Sequence, residues 1–278
     1  MFKKSAFIFV FLFSLAPANG AVSVSNIFEQ ALTLIPLELV RGRDVPFVGL
    51  QGQIPVKLSR QNPGAIAQYQ AATHQIVFFK KPISKWLSQT KKQIEPAALP
   101  EILARCLAPV YVHELSHARD WQQAQQKGFI WPVTLEDEYI ASFWQLQFMQ
   151  QVSAGDSRYY AMCAPFLPPA SYRGIPPCQA KETIYQTYVS QAGDALPPPL
   201  TRENIRNIQQ RGRIDFVLHS FAAKRRHISV LSLFTKGGNW LQLTPQALAA
   251  LEHSLTYKMY IAFQNQRYQE IQVFCVSF

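Results

Sequence analysis

Acidic residues are scarce in this chain: 17 Asp and Glu stand against 27 Lys and Arg, a formal charge of +10 over 278 residues. Such an excess draws anionic envelope polymers or lipid head groups. It gathers at Lys80-Lys81, Lys91-Lys92 and Lys224-Arg225-Arg226. No nucleic-acid module pattern accompanies it, so a nucleic-acid partner is not expected and the charge reads first as a solvated surface. Charged residues of both signs make up only 16% of the chain, against 48% hydrophobic, which excludes a disordered polyelectrolyte. After the first twenty residues no apolar run approaches the ~20 residues of a membrane span, so a transmembrane segment is excluded there. No Cys-x-x-Cys pair occurs, which argues against a structural zinc knuckle. Internal repeats and low-complexity tracts are also missing, and with them the repeat architectures.

What is present begins with the N-terminus. Lys3 and Lys4 precede a Phe-rich apolar run over residues 5–15, followed by the small residues around Ala16-Pro17-Ala18-Asn19-Gly20-Ala21. That layout reads as a secretory signal peptide over residues 1–20. The expected location is therefore periplasmic or extracellular, where disulfides form. Cys106, Cys163, Cys178 and Cys275 are even in number and allow three pairings. Cys163 and Cys178 flank a Pro-rich loop, so Cys163–Cys178 is the expected pair, leaving Cys106 with Cys275.

Organisation follows from periodicity and turn residues. Residues 26–34 read as a short amphipathic helix stopped by Pro36. Residues 54–58, broken by Pro55 and Lys57, suit an edge strand at most. Residues 65–70 and 75–79 read as two strands around Ala71-Ala72-Thr73-His74. Residues 100–106 are helical, Pro109 marks a new helix or a kink, and the stronger run 110–126 stops before Gly128. A further helix begins at Thr134 and continues to about Val152. Residues 156–179 are irregular and Pro-rich, and 182–191 are helical. Beyond Pro197-Pro198-Pro199 the pattern gives a helix over 202–216, a strand over 228–234, a turn at Lys236-Gly237-Gly238-Asn239, a helix from Thr244 and a closing strand over 268–276. The division is a signal peptide (1–20), a core (21–155) and a mixed, mostly helical C-terminal part (156–278).

The segment carrying chemistry is His113-Glu114-Leu115-Ser116-His117, an H-E-x-x-H pattern. Two histidines four residues apart on a helix share one face and can bind one tetrahedral zinc. Glu114, offset by one residue, is the general base for a water that zinc makes acidic. Catalytic zinc needs a third protein ligand. A third histidine on the same helix is excluded, because Asp120 and Gln123 stand where the extended motif requires Gly and His. A carboxylate about twenty residues on is the other arrangement, and Glu136, Asp137 and Glu138 stand there. Glu136 and Asp137 fall at the helix start, where acids complement the dipole. Glu138 lies deeper and is the chosen ligand.

His113-Glu114-Leu115-Ser116-His117 with Glu138-Tyr139-Ile140-Ala141 resembles the gluzincin type of zincin metallopeptidases, over roughly residues 54–152. The resemblance implies an α+β fold, a small sheet packed on an active-site helix, with a peptide substrate along the sheet's edge strand. Several members carry an Asp one turn after the ligand Glu. Ser142 occupies that place, and Asp120 is the substitute candidate for supporting a zinc imidazole from behind. Tyr139, Tyr159, Tyr160 and His219 are available as transition-state donors, and none is assigned. The expectation is an exported zinc peptidase acting on protein or peptide, with an anionic cell-envelope polymer as a further partner. The alternatives are a catalytically silent envelope binding or structural protein on the same fold and, more weakly, a peptidoglycan hydrolase.

Overall fold

The computed structural model describes residues 23–41, 46–61, 64–127, 135–154, 156, 158–169, 173–184, 187 and 255–276. The expected signal peptide, the helices over 202–216 and from Thr244, the strand over 228–234 and the turn at 236–239 lie outside these residues. The described part is α+β. Helix α1 (Val24–Arg41) precedes three short strands, β1 (Val56–Ser59), β2 (Ala67–Gln70) and β3 (Gln75–Phe79). Helices α2 (Lys80–Thr90), α3 (Leu99–Gln126) and α4 (Leu135–Ser153) follow, then the short α5 (Tyr159–Cys163) and the long C-terminal α6 (Leu255–Val276).

The sheet has the order β1-β3-β2. β3 pairs parallel with β1, bringing Val56 opposite Ile76 and Leu58 opposite Phe78. It pairs antiparallel with β2, bringing Tyr69 opposite Ile76 and Ala67 opposite Phe78. After Gln75, residues 76–79 are all apolar because β3 is central and buried at each of those positions. Ala67, Ile76 and Phe78 join the main core, with Tyr69, Val56 and Leu58 packed against it. β2 and β1 form the two edges, so residues 54–58 supply an edge strand as their Pro and Lys suggest.

The axis of the molecule is α3, which α1, α4 and β2 all pack against. Its stretch from Cys106 to Val112 is buried at every position. This explains why Pro109 neither starts a new helix nor ends the old one. The missing bond to the carbonyl of Arg105 is tolerated where packing holds both sides of the break. α1 likewise runs through Pro36 instead of stopping there, since Ile35 before it and Leu39 beyond it are both buried in the core. A helix at residues 80–90 had no reading in the sequence; it buries Ile83, Trp86 and Leu87, and the Trp86 indole N–H donates to the carbonyl of Met162 at 2.7 Å.

The closing strand expected over 268–276 is helix instead. Aromatic and β-branched residues suggested β structure there. The buried positions, however, are Phe263, Arg267 and Ile271, four residues apart, which is a helical stripe. The cysteines also pair differently from expectation. The bonds are Cys106–Cys163 and Cys178–Cys275, and no cysteine is free. Cys106 is fully buried on α3, where α5 brings Cys163 to it with the two Cα atoms 4.9 Å apart. The Pro-rich loop is thus tied at each end to a helix and not to itself.

Candidate metal centre

His113 and His117 stand one turn apart on α3, with ring centroids 4.9 Å apart and planes at 74°. α4 lies alongside and presents Glu138 to both rings. His113 Nε2 is 3.2 Å from Glu138 Oε2 and 3.2 Å from His117 Nε2. His117 Nε2 is 3.7 Å from Glu138 Oε1. One ligand atom from each residue falls within 4.8 Å of the other two.

These spacings test whether the three residues suit a metal. Zn–N and Zn–O bonds of about 2.0–2.1 Å at tetrahedral angles put neighbouring ligand atoms roughly 3.3 Å apart. The two imidazole nitrogens, 3.2 Å apart, and the two Glu138 oxygens, one 3.2 Å from His113 and the other 3.7 Å from His117, lie near that value, and a set of two imidazoles and a carboxylate is one that zinc accepts. The side chains keep 12%, 13% and 16% of their surface exposed, so a fourth position stays reachable from solvent. Among the described residues no other group of three His, Cys, Asp or Glu side chains meets in this way. Glu136, the rejected alternative, has a side chain outside the described residues.

Without a metal the cluster is an ion pair. Burial disfavours a charged imidazole at His117, but the Glu138 carboxylate, with Glu114 and Asp137 behind it, outweighs burial and pushes its pKa up to about 9. At Glu138 burial opposes ionisation, and the two imidazoles overcome it and hold the carboxyl well below its usual range.

Glu114 stays outside this set. It is buried, and its Oε2 accepts the backbone N–H of Tyr69 at 2.7 Å. The bond reflects the register of β2. In an antiparallel pair, alternate residues turn their backbone groups toward and away from the partner. The carbonyl of Ile66 accepts from Phe79 N–H, so residues 66, 68 and 70 face β3 while Ala67 and Tyr69 face outward, toward α3. The edge of the sheet thereby fixes the carboxylate next to the two imidazoles.

Tyr69 contributes a second tie. Its hydroxyl lies 2.6 Å from His74 Nδ1, and His74 Nε2 lies 2.9 Å from Gln122 Nε2 on α3. His74 has φ +48°, the left-handed conformation that a tight hairpin turn demands. Burial of the Tyr69 phenol raises its pKa well above the usual value. No partner for His74 is legible in the sequence, because nothing in the spacing of residues 69, 74 and 122 announces a hairpin folded against a helix.

Support from behind the imidazoles departs from the expected form. Both oxygens of Asp120 are engaged by guanidinium groups, Oδ1 by Arg119 at 3.3 Å and Oδ2 by Arg267. His113 Nδ1 is buried with no hydrogen-bond partner. Ser142, one turn after Glu138, is fully buried. Of the donor candidates, Tyr139 packs on α4 beside Lys181, and Tyr159 lies on α5 under the Arg105 guanidinium. Tyr160 is near Ser153 at 3.5 Å, and His219 lies outside the described residues. No family model, curated protein or solved structure matches the chain.

Proposed function

We propose that the chain is an exported zinc-dependent peptidase of the gluzincin type, with the metal on His113, His117 and Glu138. The observation that carries this reading is the convergence of two imidazole nitrogens and a Glu138 oxygen within 4.8 Å of one another while the intervening Glu114 stays out of the ligand set. A purely structural metal clip has no use for that fourth, separately anchored carboxylate.

A zinc ion held by His113, His117 and Glu138 would supply Lewis acidity, lowering the pKa of water toward 7 and polarising a carbonyl. The chain's own groups do the rest. Glu114 accepts the proton that water gives up as its oxygen attacks the carbonyl carbon of the peptide. The same carboxyl then delivers that proton to the departing amine nitrogen as the C–N bond breaks. The Tyr69 N–H keeps Glu114 oriented through both transfers, leaving its other oxygen for the proton. An extended peptide is favoured as substrate by β2, an edge strand whose outward face lies beside Glu114. Two disulfides in the described chain suit an oxidising compartment, in keeping with export.

The test compares the purified mature chain with its Glu114→Gln variant on a generic peptide digest, with and without chelator. Metal-dependent cleavage lost in Glu114→Gln, with metal content unchanged, supports a peptidase. Intact metal binding with no cleavage by the parent chain favours the silent binding protein.

A further inference from the structure

Arg267 is one of the largest fully buried side chains in the molecule, on a helix more than a hundred residues from the metal motif. Its two terminal nitrogens divide between two helices. One meets Asp120 on α3, three residues past His117; the other meets Asp137 on α4, directly before Glu138. Both carboxylates are buried. A second arginine extends the arrangement. Arg119 bonds Asp120 and reaches Glu270 on α6 at 2.9 Å, while its guanidinium lies 4.9 Å from the Phe47 ring centroid.

We infer that Arg267 is a positioning residue for the metal centre: its guanidinium fork on α6 sets the separation of α3 and α4, and so the distance between the His113/His117 pair and Glu138. The inference rests on the metal-binding reading of that triad. The two ligand helices contribute different donor atoms, and no disulfide among the described residues joins α3 to α4. A planar fork holding one carboxylate on each helix fixes both their spacing and their rotation. A lysine in its place keeps the charge but presents one ammonium to two separated acceptors. Partners that orient metal ligands typically govern affinity by roughly 10–100-fold.

The experiment measures Zn2+ affinity of the full mature chain by chelator competition, at a temperature where circular dichroism shows every variant folded. Arg267→Met is expected to weaken binding at least tenfold, and Arg267→Lys by a smaller factor. The triple variant Arg267→Met, Asp120→Asn, Asp137→Asn removes the stranded charges and so tests the fork with less destabilisation than a buried uncompensated charge would cause. It too is expected to bind Zn2+ at least tenfold more weakly. Trp86→Phe, a core change on α2, serves as a destabilised control and is expected to keep parental affinity. Parental affinity in the triple variant overturns the inference, since charge balance alone would then suffice. A parental chain that binds no more Zn2+ than His113→Ala overturns the metal reading itself, a result distinct from the first.

Discussion

Glu114 and its neighbours His113 and His117 differ in what they touch, and that difference decides what each substitution does. Replacing His113, His117 or Glu138 with Ala removes one of three ligand atoms and is expected to abolish stoichiometric zinc. Glu114→Gln keeps the volume and the Tyr69 N–H bond but removes the proton acceptor. It should retain zinc and lower peptide cleavage by about 10²–10⁴-fold, the usual span for a general base, read by steady-state kinetics beside metal analysis. The metal-free ion pair adds a pH signature. Because the pKa of His117 is raised to about 9, the stability it contributes is complete below about pH 6.5 and is lost as pH rises through about 9. Glu138, shifted down, contributes above its ordinary value near 4.5 and loses that contribution as pH falls through its depressed pKa. Zinc uptake near pH 7 must therefore expel the His117 proton. Calorimetry in buffers of different ionisation enthalpy should show that release, shrinking as pH approaches 9; identical heats in all buffers would contradict it. The two histidines and Glu114 were legible because H-E-x-x-H encodes its own geometry within one helix. Arg267 was not, since a single arginine in an apolar stripe looks like a solvated residue until the helix carrying it is placed.

Elements were readable where local pattern and tertiary packing agree. The hairpin 67–79 and α4 have turn or cap residues at their ends and appear within a few residues of where periodicity places them. Pro36 and Pro109 misled because their cost, about 3 kcal/mol each, is a local quantity, while the burial that outweighs it is not visible in one segment. The C-terminal helix misled for the opposite reason: its residues favour strands, and only its partners make it helical. Phe274 packs edge-on against Phe143 and Trp144 of α4, and Cys275 bonds Cys178. Two consequences belong to this scale. The Cys178–Cys275 bond closes a 97-residue separation, so replacing both cysteines with Ser is expected to cost about 2–5 kcal/mol in denaturant unfolding. Phe143→Ala, at a fully buried position where α4 meets α6, should cost about 3–5 kcal/mol in the same measurement. A cost within error of zero for either would mean that α6 does not stabilise the rest.

For the whole molecule, the expected boundary at residue 155 separates segments that are joined chemically. Cys106–Cys163 crosses it, and the Asp120–Arg267–Asp137 bridge crosses it again. The core containing the triad is thus held from outside by segments that the sequence placed in a separate region. Composition could not reveal this, because disulfide partners and buried ion pairs are chosen by the fold. The claim on which the peptidase reading depends is that α3 and α4 together hold one divalent ion. The most direct measurement is zinc stoichiometry of the purified mature chain with X-ray absorption at the metal edge, beside the Glu138→Ala variant. One zinc per chain, with two imidazole nitrogens and a carboxylate in its shell and the variant depleted, is the predicted result. Substoichiometric zinc in the parent chain, or an unchanged shell in Glu138→Ala, would contradict it.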